Sequence, residues 1–191
     1  MILLPTVIVL AAGKGERFIA SGAHEDKLNA DLCGRRVRDH VLAAVHASGL
    51  PFHTVEREHI QHLANPGMAD SIACGIQATL SAKGWLILPA DLPLIQPQTL
   101  HKVAEALAAH SIVVPCYRGK KGHPVGFQAS FKDALVQLRG DEGARSVVAA
   151  HTYLALEVED QGVVCDVDTL ELLEEARAHM QNPHFQLGRT R

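Results

Sequence analysis

Residues 6–17 have the sequence TVIVLAAGKGER, in which a run of β-branched and apolar residues leads directly into a glycine-rich turn. A continuous apolar run of this kind is typical of a parallel strand that is covered on both faces. Small residues and glycines after such a strand allow the backbone to approach a phosphate group, at which the loop amides can point. The stretch therefore predicts a buried first strand over residues 6–11, followed by a phosphate-binding loop.

Further along the chain, apolar runs alternate with segments of helical periodicity. Strands are predicted at 52–55, 85–90, 111–116, 123–127, 153–158 and 163–165. Helices are predicted at 36–48, 70–82, 98–110, 130–138, 143–150 and 170–180. This alternation predicts an α/β fold, a three-layer α/β/α, Rossmann-like domain with a doubly wound, mostly parallel sheet. We expect one domain over residues 1–182 and a frayed C-terminal tail over residues 183–191.

The composition argues against several classes of protein. The chain has 191 residues, enough for one α/β domain, and its net charge of −3 gives no support for nucleic-acid binding. The four cysteines are far apart and form no CxxC pair, which disfavours a zinc site or a disulfide framework and favours a reducing compartment. No apolar run is long enough to span a membrane. We therefore expect a cytoplasmic protein that binds neither nucleic acid nor membranes.

The glycine-rich loop suits a polyphosphate better than a dinucleotide. It lacks the third glycine of the dinucleotide fingerprint, and no acidic residue ends a second strand about 20 residues later, as that fingerprint requires. It also lacks the Gly-Lys-Ser/Thr sequence of a Walker loop. Arg17 and Lys14 would place positive charge opposite a triphosphate. The predicted nucleotide-binding residues of this segment are Ala11, Ala12, Gly13, Lys14 and Gly15.

Carboxylates follow two of the predicted strands. Asp91 comes after the strand at 85–90 and Asp166 after the strand at 163–165. Because ligands of such sheets bind beyond the carboxyl ends of the strands, both should meet the glycine-rich loop in one crevice. Mg²⁺ commonly takes one or two carboxylates together with phosphate oxygens. Asp168 can cap the helix that follows, so we favour Asp166 as the second metal ligand and Asp168 as a helix cap, with Asp168 as the alternative ligand.

The chain contains, in this order, LAAGKGER at 10–17, Lys27, NPGMADSI at 65–72, PADLPLI at 89–95, GHPVGF at 122–127, LRGDEGAR at 138–145 and DVDT at 166–169. This ordered set resembles the molybdenum cofactor nucleotidyltransferases, a MobA-like NTP transferase family, and especially the cytidylyltransferase branch that serves molybdenum hydroxylases. The resemblance runs over most of the chain.

The resemblance implies a nucleotide-diphospho-sugar transferase-like fold and a Mg²⁺-dependent reaction. A CMP moiety from CTP, or a GMP moiety from GTP, would pass to molybdopterin bearing molybdenum, with release of pyrophosphate. A molybdenum hydroxylase or its chaperone would be a partner. Among the site residues, Arg17, Lys27 and Asp91 would be catalytic, Gly67 and Ser71 would lie near the base and ribose, and His123 and Arg145 would face the acceptor.

Each of these roles has a structural alternative. Residues 18–26 separate Lys27 from Arg17 by more than is usual in the family, so Lys27 could instead be a solvated lysine beside Glu25 and Asp26. Asp70 or Ser71 could be a helix N-cap, His123 a structural histidine, and Arg145 a salt-bridge partner of Asp141 or Glu142. Two other functions stay open: the same transfer onto a sugar or polyol phosphate, and a non-catalytic protein that binds or delivers the molybdenum cofactor.

Overall fold

The computed structural model of the chain describes residues 4–182, so the tail predicted at 183–191 lies outside the described residues. The strands are β1 (Thr6–Ala11), β2 (Asp31–Leu32), β3 (Arg35–Arg36), β4 (Phe52–Glu56), β5 (Gly84–Pro89), β6 (Ile112–Tyr117), β7 (Lys120–Lys121), β8 (Val125–Gln128) and β9 (Leu154–Glu157). The helices are α1 (Glu16–Ala20), α2 (Val37–Ser48), α3 (Arg57–Ile60), α4 (Met68–Ala78), α5 (Pro97–Ala106), α6 (Lys132–Val136), α7 (Arg145–Ala149) and α8 (Leu170–Gln181). Within this part of the chain, no helix combines the length and the apolar character needed to cross a membrane.

The main sheet has the strand order β4-β1-β5-β8-β6-β7, and β9 pairs with β6. β1 lies between β4 and β5 and is parallel to both, with Val9 opposite Thr54 and Leu88. β8 runs antiparallel to both β5 and β6, so these two point in the same direction, and β9 is parallel to β6. β4, β1, β5, β6 and β9 therefore share one direction, which confirms the predicted mostly parallel sheet.

Helices cover both faces of this sheet. Val7, Val9 and Ala11 of β1 join the core that contains α2 and α5, whereas Ile8 and Leu10 join the core that contains α4. Because successive side chains of a strand point to opposite faces, a strand covered on both sides must be apolar throughout. All six residues of β1 are buried. The three-layer α/β/α architecture is confirmed, and it fixes the carboxyl ends of β1 and β5 at one edge of the sheet.

One predicted strand is wrong. Residues 163–165 overlap a short 3₁₀ helix, Gln161–Val164, instead of adding a strand to the sheet. The Asp160 carboxylate organises this turn, since it accepts hydrogen bonds from the backbone N–H of Gly162 (2.8 Å) and the hydroxyl of Thr99 (2.7 Å). An aspartate side chain that bonds nearby backbone amides stabilises a turn in competition with regular structure. The apolar residues Val163 and Val164 pack onto the core from this turn.

Candidate active site

A crevice of about 400 Å³ opens at the carboxyl edge of β1 and β5. Its walls come from segments that are distant in sequence: the glycine-rich loop after β1, the first residues of α4, and single charged side chains from four other places. The residues of the loop that line it are Ala12, Gly13, Lys14, Gly15, Glu16 and Arg17. The other lining residues include Lys27, Pro66, Gly67, Met68, Ser71, Asp91, Asp141 and Asp168. Ala11 is buried at the end of β1, beneath the loop.

The glycine-rich loop turns sharply at Gly15. Gly15 has φ 65° and ψ 27°, a left-handed conformation that favours glycine because it has no Cβ. It forms the N-cap of α1, so that Arg17 falls in the first turn of that helix. At Gly13, no atom lies within 4 Å of the position that a Cβ would take, which leaves room beside the loop. The loop therefore presents open backbone and two cationic side chains, Lys14 and Arg17, to the crevice.

Lys27 lies between two carboxylates. Its Nζ donates hydrogen bonds to Asp91 Oδ2 at 2.5 Å and to Asp168 Oδ1 at 2.7 Å. The side chains of Lys27, Asp91 and Asp168 are only 12%, 16% and 7% exposed, so these ion pairs are largely shielded from water. Burial alone would lower the pKa of Lys27, but attraction to Asp91 and the bonds to both carboxylates outweigh it and raise the pKa. Lys27 thus reaches the crevice as a charged ammonium group, despite the residues inserted before it.

Asp168 also meets the loop, and its predicted role as a helix cap is wrong. Thr169 is the N-cap of α8, where its hydroxyl accepts from the backbone N–H of Leu172 at 3.2 Å. The backbone N–H of Val167 donates to Asp91 O at 2.9 Å, which joins this segment to the end of β5. Asp168 faces the crevice, where its Oδ2 lies 2.6 Å from Arg17 Nη2. The cap lies one residue later than predicted, and a 3₁₀ helix instead of a strand precedes Asp166.

Asp166 lies beside Asp168 and does not line the crevice formed by the described residues. Partial burial of its carboxyl group, followed by the hydrogen bond to Asp168 and the negative charge there, raises the pKa of Asp166 to about 6. Burial acts in the same sense on Asp168, but hydrogen bonds from Asp166 and Lys27 and the positive charges of Lys27 and Arg17 lower its pKa overall. Asp168 therefore stays ionised throughout the neutral range, whereas Asp166 takes up a proton as the pH falls towards 6.

The N-terminus of α4 forms the other wall. Gly67 is the N-cap, and Asp70 Oδ2 accepts from the backbone N–H of Gly67 and of Gly140, both at 3.0 Å. Ser71 Oγ donates to Gly67 O at 3.1 Å. The prediction that Asp70 or Ser71 is the N-cap itself is therefore wrong, although Asp70 supplies the capping carboxylate. A Cβ on Gly67 would stand 2.2 Å from Asp141 Oδ1, so only glycine allows this close approach.

His123 and Arg145 lie near the crevice without lining it, as far as residues 4–182 define it. Burial lowers the pKa of His123; Asp91 acts to raise it, and Arg145 acts to lower it. The imidazole is therefore within electrostatic range of Asp91, after β5, and of Arg145, at the start of α7. Among the described residues, the Arg145 side chain forms no ion pair with Asp141 or Glu142, the structural alternative for this arginine.

Sequence reasoning missed Arg57, which follows β4 at the same edge of the sheet. Its Nη2 donates to Gly13 O at 2.6 Å and to Asp26 Oδ2 at 2.5 Å. The other oxygen of Asp26 accepts from the backbone N–H of Leu28 at 2.9 Å. Arg57 therefore connects the glycine-rich loop with the segment that carries Lys27. Its position directly after a strand predicted at 52–55 was the one signal in the sequence.

The carboxylates of the crevice fit a divalent cation as a pair. Across the part of the chain that the structure describes, no group of three or more His, Cys, Asp or Glu side chains is placed to hold a metal ion. Asp91 and Asp168, however, both direct an oxygen at one positive charge, the Lys27 ammonium. Two carboxylates with additional phosphate and water oxygens are a common ligand set for Mg²⁺. The donor set thus suits an ion that arrives together with a phosphorylated ligand.

Comparison with known proteins adds a family and a set of similar structures. Residues 7–156 match the family model described as the MobA-like NTP transferase domain. Over 202 aligned residues the chain is 29% identical to the purine catabolism protein PucB of Bacillus subtilis (strain 168), an alignment that covers 91% of this chain and 96% of that protein.

Three solved structures, of two proteins, illustrate the similarity of fold. Rv0371c from Mycobacterium tuberculosis H37Rv superposes with a TM-score of 0.76 at 23% identity, covering 92% of this chain and 98% of that one. The same protein has been solved as a complex with manganese, with a TM-score of 0.72 at 21% identity, covering 92% of this chain and 98% of that one. Molybdopterin-guanine dinucleotide biosynthesis protein A from Archaeoglobus fulgidus gives 0.65 at 16% identity, covering 92% and 98% of the two chains. At these identities the structures establish the shared fold.

Proposed function

This chain belongs to the MobA-like NTP transferase family and is a nucleotidyltransferase of that type, and we propose that it transfers a CMP moiety from CTP to a phosphorylated small acceptor. Transfer of a GMP moiety from GTP is the second choice. An acceptor phosphate oxygen attacks the α-phosphorus and forms a new P–O bond. The bond from the α-phosphorus to the oxygen that bridges to the β-phosphate breaks, and pyrophosphate leaves. The observation that carries this proposal is the convergence of the glycine-rich loop, Lys27, Asp91 and Asp168 in one crevice.

The triphosphate would lie along the glycine-rich loop. Residues 13–15 offer open backbone, and Lys14 and Arg17 offer positive charge. The Arg17 side chain is 77% exposed, so it is free to turn from Asp168 towards a phosphate group. Transfer of this kind depends mainly on holding two anions in line and neutralising their charge, rather than on covalent chemistry by the protein.

Asp91 and Asp168 would hold Mg²⁺. The bound ion would supply positive charge that stabilises the negative charge developing on the phosphate groups during transfer. In the structure, Lys27 neutralises the same two carboxylates. When the nucleotide binds together with Mg²⁺, Lys27 would leave the carboxylates and pair with phosphate oxygens. Asp166 touches Asp168 and does not line the crevice of the described residues, so we assign it to the orientation of Asp168. Rv0371c, which has a similar fold, has been solved as a complex with manganese, and this supports a divalent ion.

The acceptor would enter past His123 and Arg145. Arg145 is exposed and can bind a phosphate group through its planar guanidinium. The lowered pKa of His123 keeps the imidazole neutral near pH 7, so that it can donate one hydrogen bond and accept another. We propose molybdopterin bearing molybdenum as the acceptor, which is consistent with the similarity of fold to the molybdopterin-guanine dinucleotide biosynthesis protein A of Archaeoglobus fulgidus. A molybdenum hydroxylase or its chaperone would then receive the product in the cytoplasm, a compartment consistent with the free thiols of the chain.

Arg57 tests the role of the loop. Replacing Arg57 by alanine is expected to weaken binding of Mg²⁺-CTP by about 3- to 10-fold, because the loop and the Lys27 segment lose their common hydrogen-bond donor. The expected loss is modest because exposed ion pairs are individually weak. Titration calorimetry on the variant measures this, with Arg57→Lys expected to be intermediate. Arg35→Ala, which removes an exposed arginine outside the crevice, is the control. An affinity equal to that of the unmodified protein would contradict the assignment.

The proposed activity predicts release of pyrophosphate that depends on Mg²⁺, on a triphosphate and on an acceptor. We expect CTP to give the fastest release with the molybdenum-bearing molybdopterin acceptor, GTP a slower one, and a panel of sugar and polyol phosphates little above the rate without acceptor. Faster release with a sugar or polyol phosphate would replace the proposed acceptor and keep the reaction. Tight binding of the molybdenum cofactor without any release would instead establish a delivery protein, an alternative that the observed reach of Lys27 does not favour.

A further inference from the structure

We propose that Asp141 selects the base of the nucleotide by accepting a hydrogen bond from an exocyclic amino group. The crevice would then bind cytosine and guanine nucleotides and reject their carbonyl-bearing or unsubstituted analogues, uracil and hypoxanthine. This inference rests on the proposed function, since it takes the crevice to be a nucleoside triphosphate site. It gives a role to Asp141, a residue of the segment 138–145 that takes no part in the proposed transfer itself.

The position of Asp141 is built into the fold. Its loop is joined to the start of α4 by two hydrogen bonds, from Ala69 N to Gly140 O at 2.8 Å and from Gly140 N to Asp70 Oδ2 at 3.0 Å. The absence of a side chain at Gly67 lets Asp141 Oδ1 approach the backbone there, within 2.2 Å of the site that a Cβ would occupy. Asp141 is thereby held at the wall of the crevice, although the residue is exposed.

Asp141 lies at the end of the crevice opposite the ion pairs. Ile72 of α4 packs with Leu10 and Ala12 on one face of the sheet. The neighbours of Lys27 and Asp91 in the chain, Leu28 and Leu92, pack in the core on the other face. The crevice therefore crosses the edge of the sheet, with Lys27 and its partner Asp91 on one side and Asp141 with α4 on the other. A nucleotide whose triphosphate lies among the former places its base beside the latter.

The charge of Asp141 suits a base and opposes a phosphate. Within residues 4–182 its carboxylate takes part in no hydrogen bond or ion pair, so both oxygens are available as acceptors. A carboxylate accepts well from an amino group such as N4 of cytosine. The carbonyl oxygen at the same place in uracil would instead face the carboxylate with its lone pairs. An analogue that lacks the required donor leaves the polar group of the site without its partner, which is a strong source of discrimination.

Two matched pairs of nucleotides test this. CTP and UTP differ in whether position 4 of the base carries an amino group or a carbonyl, and GTP and ITP differ by the 2-amino group. Dissociation constants are measured by titration calorimetry with Mg²⁺ on the full chain, for the unmodified protein, Asp141→Asn and Glu142→Gln. Glu142→Gln removes the same charge from the adjacent exposed residue. We expect CTP to bind about 10- to 100-fold more tightly than UTP, less than a buried site achieves because Asp141 is exposed. GTP should exceed ITP in the same way.

Asp141→Asn should reduce both preferences to within about threefold, because an amide can donate to a carbonyl as well as accept from an amine. Glu142→Gln should retain them. If Asp141→Asn changes the affinities of CTP and UTP by the same factor, or if the unmodified protein does not distinguish the members of either pair, the inference is overturned while the nucleotide site stands. If no triphosphate binds at all, the proposed function fails as well, so the two failures are distinguishable. Equal melting temperatures of the three proteins establish that the variants are folded.

Discussion

Replacing Asp91 by asparagine is expected to lower kcat/KM for nucleotidyl transfer by about 10²- to 10³-fold, the usual cost of removing one electrostatic group from a site of this kind. Asparagine keeps the size of the side chain and removes its charge. It would leave Lys27 with a single carboxylate partner, Asp168, among the described residues. It would also remove one of the two proposed anionic ligands of Mg²⁺, so the affinity for the divalent ion should fall along with the rate.

The measurement is steady-state release of pyrophosphate at saturating Mg²⁺ and at several CTP concentrations. Asp133→Asn is the matched control, because it removes a carboxylate from an exposed position on α6. We expect this control to retain the rate of the unmodified protein. Transfer by Asp91→Asn within threefold of the unmodified rate would show that Asp91 neither holds the metal nor organises the crevice.

Replacing Lys27 by methionine is expected to have opposite effects on transfer and on metal binding. Transfer should fall by about 10²- to 10³-fold, because the variant would lose the cation that we propose neutralises the phosphates in the transition state. Binding of Mn²⁺ in the absence of nucleotide should tighten by about 10-fold, since Asp91 and Asp168 lose the ammonium that now occupies the space between them. A residue that only stabilised the fold would not produce this pair of changes.

The same variant should be less stable than the unmodified protein when no metal is present. Lys27 has a raised pKa, so it is fully charged at pH 7 and the contribution of its ion pairs to stability is complete there. Removing one partner of a shielded ion pair leaves carboxylates without compensation, at a cost of roughly 1–3 kcal/mol for partly buried groups such as these. Thermal unfolding with and without Mn²⁺ measures this, and Mn²⁺ should restore most of the loss.

Lys14→Met is the matched control for Lys27, because Lys14 lines the same crevice and contacts neither carboxylate. Its removal should leave the affinity for free Mn²⁺ and the melting temperature without nucleotide within experimental error. If Lys27→Met binds Mn²⁺ no more tightly than the unmodified protein, Lys27 and the metal do not compete for Asp91 and Asp168.

The elements that support the site could be predicted because their signals are local. β1 and β5 are buried on both faces, which demands continuous apolar runs, and such runs are visible in the sequence at 6–11 and 85–90. The glycine-rich loop and Asp91 follow these strands directly, so their place at the carboxyl edge of the sheet follows from the fold class. The interposed antiparallel strand β8 does not change that edge.

The partners of Lys27 could not be predicted because they are distant in the chain. Lys27 is 64 residues from Asp91 and 141 residues from Asp168. Spacing alone suggested that residues 18–26 could carry Lys27 away from the loop. In the structure, α1 takes up part of this segment as a compact helix, and Arg57 ties Asp26 back to Gly13. These contacts are tertiary, and no periodicity or motif encodes them.

Asp168 and Asp141 show two further limits of reasoning from sequence. Asp168 precedes a predicted helix and so suits a cap, but Thr169 takes that position, and a turn organised by Asp160 replaces the strand predicted before it. Asp141 can take its position because Gly67, which is far away in the chain, has no side chain. Where a glycine allows two loops to approach closely, the sequence does not show which other loop will contact it.

The most direct test of the central claim is a crystal structure of the protein with Mn²⁺ and a non-hydrolysable analogue of CTP, with the metal located by its anomalous scattering. We expect a manganese peak within coordination distance of Asp91 and Asp168, triphosphate oxygens against the glycine-rich loop, and Lys27 moved from between the carboxylates onto a phosphate oxygen. A bound triphosphate with Lys27 still paired to both carboxylates, or a manganese ion held elsewhere, would contradict it.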